Sequence, residues 1–136
     1  MVIVDSSVWV DYFRDVRTPE TAWLDRELPR QRLGVTDIIL CEVLQGIRDD
    51  AVFFEVRDEL SKCHVFPMGG AALAVEAAQH YRFLRSKGHT VRKTIDCLIA
   101  TFCLQHGHAL LHADHDFDPF EEFLHLHVVR PGLPPR

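Results

Sequence analysis

Val2-Ile3-Val4-Asp5-Ser6-Ser7-Val8-Trp9-Val10-Asp11-Tyr12-Phe13 opens the chain as a short apolar strand that stops on a carboxylate and turns, through two hydroxyls, into a helix. A Val/Ile run with no polar alternation is buried on both faces, as in a parallel sheet covered by helices. In such sheets ligands gather at the carboxyl ends of the strands, and Asp5 stands at one. The same residues also suit a plainer role, because Asp5, Ser6 or Ser7 can cap the following helix by accepting from its free N–H groups. The choice turns on whether other carboxylates occupy matching places further along.

The chain has 136 residues, enough for one domain with a real core, and residues 1–136 are read as a single domain. With 47% apolar and 26% charged residues, the composition is that of a globular protein rather than a disordered one. A net charge of −5 excludes a protein that coats nucleic acid through a basic surface. It leaves room for a nuclease, whose clustered carboxylates are largely neutralised by divalent cations. Cys41, Cys63, Cys97 and Cys103 have no CxxC spacing and read as small core residues of a reduced protein. No leader precedes the first strand and no apolar run is long enough to span a membrane, so a soluble, cytoplasmic protein is expected.

Thr18-Pro19-Glu20 is a helix-start signal, and the helix that follows stops at Pro29. Leu33-Gly34-Val35 reads as a strand, with Thr36-Asp37 positioned to cap a helix from Ile38 to about Arg48. Asp49 to Leu60 continues as helix, Cys63 to Pro67 reads as strand, and Ala71 to Arg85 as a long helix closed near Gly88. A helix from Thr94 to His106 ends at Gly107. Ala109 to His112 is a strand, His112 to Asp118 the loop beyond it, Leu126 to Val129 a last strand, and Pro131 to Arg136 a loose tail. Strands alternating with helices predict a three-layer α/β/α domain with a mostly parallel central sheet.

Four acids fall at equivalent places on that plan. Asp5 and Asp114 end strands, whereas Glu42 and Asp96 sit early on helices that follow strands or loops. Taken alone, Glu42 suits the wet face of its helix, Asp96 a first turn favoured by the helix dipole, and Asp114 with Asp116 a surface turn. Together they converge on one rim of a parallel sheet, where strand carboxyl ends and helix amino ends meet. Like charges gathered there repel unless protonated or paired with cations. Ligands made only of oxygen favour Mg²⁺ or Mn²⁺, which activate water and stabilise a leaving oxygen in phosphodiester cleavage.

With these residues in place, the chain resembles the PIN-domain nucleases, and among them the VapC toxins of VapBC toxin–antitoxin systems. The likeness is carried by Val4-Asp5-Ser6-Ser7-Val8-Trp9, by Glu42 with Gly46, by Ile95-Asp96-Cys97-Leu98-Ile99-Ala100 and by His112-Ala113-Asp114-His115-Asp116-Phe117. It implies a magnesium-dependent endoribonuclease (Mn²⁺ substituting) with Asp5, Glu42, Asp96 and Asp114 as an acidic quartet, Asp116 as a fifth acid and Ser7 supporting Asp5. It further implies structured RNA such as tRNA or ribosomal RNA as the target, a VapB antitoxin as partner, and a homodimer that combines with antitoxin. His112 stands where many relatives carry Thr or Ser. On this reading Asp5, Asp96 and Asp114 anchor a principal ion, while Glu42 and Asp116 hold a second or orient water.

RNA also requires cations on the protein. Arg82, Arg85, Lys87, Arg92 and Lys93 form the densest basic run and lead into the helix of Asp96, although such runs are commonly just a solvated face. Two rival readings have less support. A phosphatase or receiver domain would need a second acid two residues after Asp5 and a Lys after a late strand, and neither is present. A zinc module built from His106, His108, His112, His115, His125 and His127 has no Cys at ligand spacing.

Overall fold

The computed structural model describes residues 1–132. In chain order the elements are β1 (Val2–Val4), α1 (Ser6–Phe13), α2 (Pro19–Glu27), β2 (Gly34–Thr36), α3 (Asp37–Gln45), α4 (Asp50–Ser61), β3 (His64–Phe66), α5 (Ala71–Ser86), α6 (Thr94–His106), β4 (Ala109–Leu111) and α7 (Asp118–Leu124). The four strands form one all-parallel sheet in the order β3-β2-β1-β4. Ile3 of β1 pairs with Gly34 on one side and Leu110 on the other. Helices cover the sheet in two groups: α1 packs on α2 and α3, with α4 behind α3, and α5 packs on α6 and α7.

The core follows from the runs that nominated the strands. Ile3, Val4, Val35, Leu110 and Leu111 are fully buried, and Trp9, Ile39, Leu60, Leu84, Ile99, Phe117 and Phe120 close over them from the helices. Each such side chain contributes about 1.5–3 kcal/mol by leaving water. Helix starts match their capping signals. Thr18 and Thr21 form a reciprocal capping box at α2, and the Thr36 hydroxyl accepts from Ile39 N at 3.2 Å at the start of α3. Gly107 ends α6 in the left-handed conformation, with φ +67°.

Three local expectations are corrected, and one helix lies in a stretch that had no assignment. Helix does not run on from Arg48, because the chain breaks after Gln45 and restarts where Asp49 caps α4 by accepting from Val52 N. The segment Leu126 to Val129 makes only an isolated bridge between Leu110 and Val128. The stretch before it holds a helix, α7, with Pro119 in its first turn and Phe120 in the core. Cys41 is exposed on the outer face of α3, whereas Cys63, Cys97 and Cys103 are buried; all four are free thiols. Of the expected tail, residues 133–136 lie outside the described residues. Among the described residues, no helix is long and apolar enough to cross a membrane.

Candidate active site

The sheet order decides where the acids meet. β1 lies between β2 and β4, so Asp5 emerges at the middle of the carboxyl edge, where its N–H donates to Leu111 O at 2.9 Å. α3 leaves the neighbouring edge from Thr36 and brings Glu42 round after one and a half turns. α6 delivers Asp96 from its first turn, and the chain beyond β4 delivers Asp114. Asp5, Glu42, Asp96 and Asp114 line one cavity of about 400 Å³, together with Ser6, Ser7, Asp11, Gln45 and Lys93.

Hydrogen bonds hold the acids from behind. Ser7 donates to Asp5 Oδ2 through its hydroxyl at 2.7 Å and its N–H at 3.1 Å. The same hydroxyl accepts from Ala113 N at 3.1 Å, which ties α1 to the loop after β4. Ser6 Oγ donates to Glu42 Oε1 at 3.3 Å. Beyond β4 the backbone does not stay extended: Asp114 caps a 3₁₀ turn, His115–Phe117, and Asp114 Oδ1 accepts from Asp116 N at 2.9 Å. That turn folds Asp116 back, so Asp96, Asp114 and Asp116 each offer a carboxylate oxygen within 4.8 Å of the others. The tightest set therefore joins Asp116 to Asp96 and Asp114, a grouping different from the expected pairing of Asp116 with Glu42.

Two carboxylate oxygens mark this cavity, although Glu27 Oε2 on α2 is likewise buried without a partner among the described residues. Asp5 and Asp96 are 3% and 4% exposed, and Asp5 Oδ1 and Asp96 Oδ2 are buried with no donor among the described residues. Buried carboxylate oxygens carry a desolvation cost that only a donor, a proton or a cation relieves. A larger groove, about 620 Å³, runs between α1 and α2 along Tyr12, Phe13 and Thr21, but holds no comparable orphan.

A model of the PIN domain matches residues 2–122. Ribonuclease VapC11 of Mycobacterium tuberculosis is 31% identical over 131 residues, covering 95% of this chain and 98% of the relative. The chain belongs to the PIN-domain family and, within it, to the VapC ribonucleases. Solved structures agree on the fold. FitAcB from Neisseria gonorrhoeae superposes with a TM-score of 0.75 at 18% identity, covering 96% of this chain and 98% of that one. VapBC2 from Rickettsia felis, bound to a DNA fragment from its promoter, gives 0.72 at 16% identity, covering 95% and 98%.

In this VapC chain the acids perturb one another. Burial pushes the Asp5 carboxyl above its ordinary value, against the lowering effect of the Ser7 hydrogen bonds. Burial and the Asp5 charge raise Glu42 in the same way. Burial, then Asp5, pushes Asp96 up to about 7. Such shifts mark carboxylates that share a site without enough positive charge. The protein's own cations answer only in part. Lys93 Nζ lies 3.6 Å from Asp114 Oδ2 and Arg92 Nη2 lies 2.9 Å from Asp116 Oδ1, while Asp96 has no such partner among the described residues. Arg85 and Lys87 instead lie over the rings of Tyr81 and Phe83 on α5, and Arg82 is exposed on the same helix.

Sequence reading missed Asp11 and Gln45, which lie one or two turns along α1 and α3 from Asp5 and Glu42. Their helical spacing from those acids was the available signal. The histidines do not assemble into a rival site: His106, His108 and His64 stack among Phe66 and Phe102. His112 packs on Phe117, and His115 pairs with Asp118. Among the described residues the one metal-competent trio is acidic.

Proposed function

We propose that this chain is the toxin of a VapBC pair: a Mg²⁺-dependent endoribonuclease that cuts structured RNA, tRNA or ribosomal RNA, and so halts translation. The reading rests on one observation above the others, the buried, donorless oxygens of Asp5 and Asp96 at the centre of an acid-lined cavity. A set of oxygens with excess negative charge and no donor among the described residues suits a hard divalent cation, Mg²⁺ or Mn²⁺.

Asp96, Asp114 and Asp116 form the compact ligand set, with Asp5 facing it from β1 and Glu42 from α3. A bound cation supplies a nucleophile at neutral pH and charge stabilisation for the leaving oxygen. The residues do the rest. Ser7 fixes the rotamer of Asp5, leaving Oδ1 free for the site. Ser6 holds Glu42 Oε1, so that Oε2 would accept a proton from the attacking water as its oxygen bonds to phosphorus; the P–O ester bond breaks and the leaving oxygen takes a proton from solvent. Arg82, Arg85, Arg92 and Lys93 contact RNA phosphates. Ser7 lacks a His–Asp relay and is a positioning residue rather than a nucleophile.

A VapB antitoxin is the proposed partner, with the toxin acting as a homodimer in a cytoplasmic complex. The VapBC2 assembly of Rickettsia felis, which shares the fold, supports that choice. The deciding experiment is cleavage of total RNA with Mg²⁺, with and without chelator, mapping the new ends. Cleavage that stops with chelator and in Asp5→Ala and Asp96→Ala supports the reading; equal cleavage in either variant or in chelator overturns it.

A further inference from the structure

We propose that Arg92 and Lys93 are resident counter-ions of the acid cluster, exchanging carboxylates for RNA phosphates when a divalent cation is bound; this rests on the nuclease reading above. The two residues are consecutive in the connector between α5 and α6, and Lys93 is the last extended residue before α6, with φ −124° and ψ 121°. Arg92 lies at a bend just before it, so the two neighbouring side chains reach different acids. Arg92 reaches Asp116 Oδ1 at 2.9 Å, while Lys93 reaches Asp114 Oδ2 at 3.6 Å. One dipeptide thus grips two of the three acids whose oxygens lie within 4.8 Å of one another.

The grip is built to be released. The Arg92 and Lys93 side chains are 78% and 60% exposed, against 15% and 25% for their acids. Exposed pairs between long side chains contribute little to stability, so a purely structural role gives weak reason for both to sit there. Two cations also leave the third acid, Asp96, with an unpartnered Oδ2. Charge on the acids is partly balanced: Arg92 and Lys93 pair directly with Asp116 and Asp114, and Lys93 acts on Asp96 only through space. Once the carboxylates have a divalent partner, the attraction holding Arg92 and Lys93 falls, and both tips are free at the rim where a phosphodiester must lie. In a chain of net charge −5 these two pair with Asp116 and Asp114, and Lys93 lines the acid cavity itself. Metal and RNA binding are then coupled, and the coupling is reciprocal.

The test uses the full chain without antitoxin: Arg92→Gln, Lys93→Gln, the double variant and Lys93→Arg. Calorimetric titration with Mn²⁺ alone reads the first half of the exchange. Each single glutamine variant is expected to bind Mn²⁺ about 3- to 10-fold tighter and the double variant more than about 10-fold, with Lys93→Arg close to wild type. Cleavage of a structured RNA at saturating Mn²⁺ reads the second half. KM should rise about fivefold or more in each glutamine variant, with kcat within about twofold of wild type. Unchanged or weaker Mn²⁺ binding in the double variant overturns the counter-ion role, and unchanged KM overturns the handover. If the wild type binds no Mn²⁺, the nuclease reading falls and takes this proposal with it. If the wild type binds and cleaves while the double variant binds no tighter, the exchange alone is refuted.

Discussion

The Ser7 hydroxyl donates to Asp5 Oδ2 at 2.7 Å while accepting from Ala113 N at 3.1 Å, so one side chain joins the chain just beyond β1 to the chain just beyond its neighbour β4. The bond orients Asp5 and also stabilises its ionised form, opposing the effect of burial. Ser7→Ala removes both functions without opening a large void. RNA cleavage is expected to drop about tenfold, in keeping with one lost charge-assisted hydrogen bond. Because Asp5 loses a donor, its carboxyl moves further up, and the Mn²⁺ concentration needed for half-maximal cleavage should rise most at the acid end of the pH range. An unaltered metal requirement would show that Ser7 is only a helix-start residue.

Asp96→Asn separates the needs of the site from those of the fold. Burial and Asp5 raise the Asp96 carboxyl from 3.8 to about 7. Between those values the folded chain keeps a proton that the unfolded chain gives up, so this group's contribution to stability falls as pH rises through the window. The metal-free Asp96→Asn protein should therefore melt several degrees higher than metal-free wild type near neutral pH, a gain on the order of 1–3 kcal/mol. The gap should narrow as pH falls toward 3.8 and close below it, where Asp96 is protonated in both states. Added Mg²⁺ should raise the wild-type midpoint and leave the variant's nearly unchanged, and cleavage should be lost. Thermal melts at several pH values, with and without metal, check all of this.

His80 gives a pH dependence of opposite sign, remote from the acids. Its Nδ1 is 2.9 Å from Thr101 Oγ1 across the α5–α6 contact, and burial lowers its pKa below the ordinary 6.5 despite nearby Glu76. The unfolded chain takes up this proton more readily than the folded one. The His80 contribution is therefore fully present above about 6.5 and is lost as pH falls through the window below it. Denaturant unfolding at about pH 7.5 and 5.5 should show a smaller acid loss in His80→Gln than in wild type.

Gly34 is required by close approach rather than by backbone conformation. A Cβ at this position would lie 2.6 Å from Ile3 Cδ1 and 2.9 Å from Phe66 Cε2, and Ile3 is fully buried between the neighbouring strands. Gly34→Ala must push β1 and β2 apart or force Ile3 off its rotamer, a cost of about 1–3 kcal/mol. A fall in melting midpoint of several degrees is expected. The metal affinity of the folded protein should change little, since the acids leave the opposite end of the strands.

Sequence alone determined the strands β1 to β4, the helix starts at Thr18 and Thr36, and the span of α6 from Thr94 to His106. Each rests on local signals: an apolar run, a capping hydroxyl, a glycine at a helix end. It also nominated Asp5, Glu42, Asp96 and Asp114, because strand and helix ends share one rim in any parallel α/β sheet. The tertiary structure alone decided the distances. That Asp116 folds back to join Asp96 and Asp114 depends on a 3₁₀ turn in which Asp114 accepts from Asp116 N through its carboxylate and from Phe117 N through its carbonyl, which no periodicity foretells. That Arg92 and Lys93 reach two acids more than twenty residues away, and that Asp11 and Gln45 enter the cavity, follows from how α1, α3 and α6 pack around β1. The bridge at Val128 and the outward turn of Cys41 are settled by the same packing. Chain-local chemistry selects elements and their ends, whereas charge acts through space, and only the packed sheet brings remote carboxylates and cations within its range.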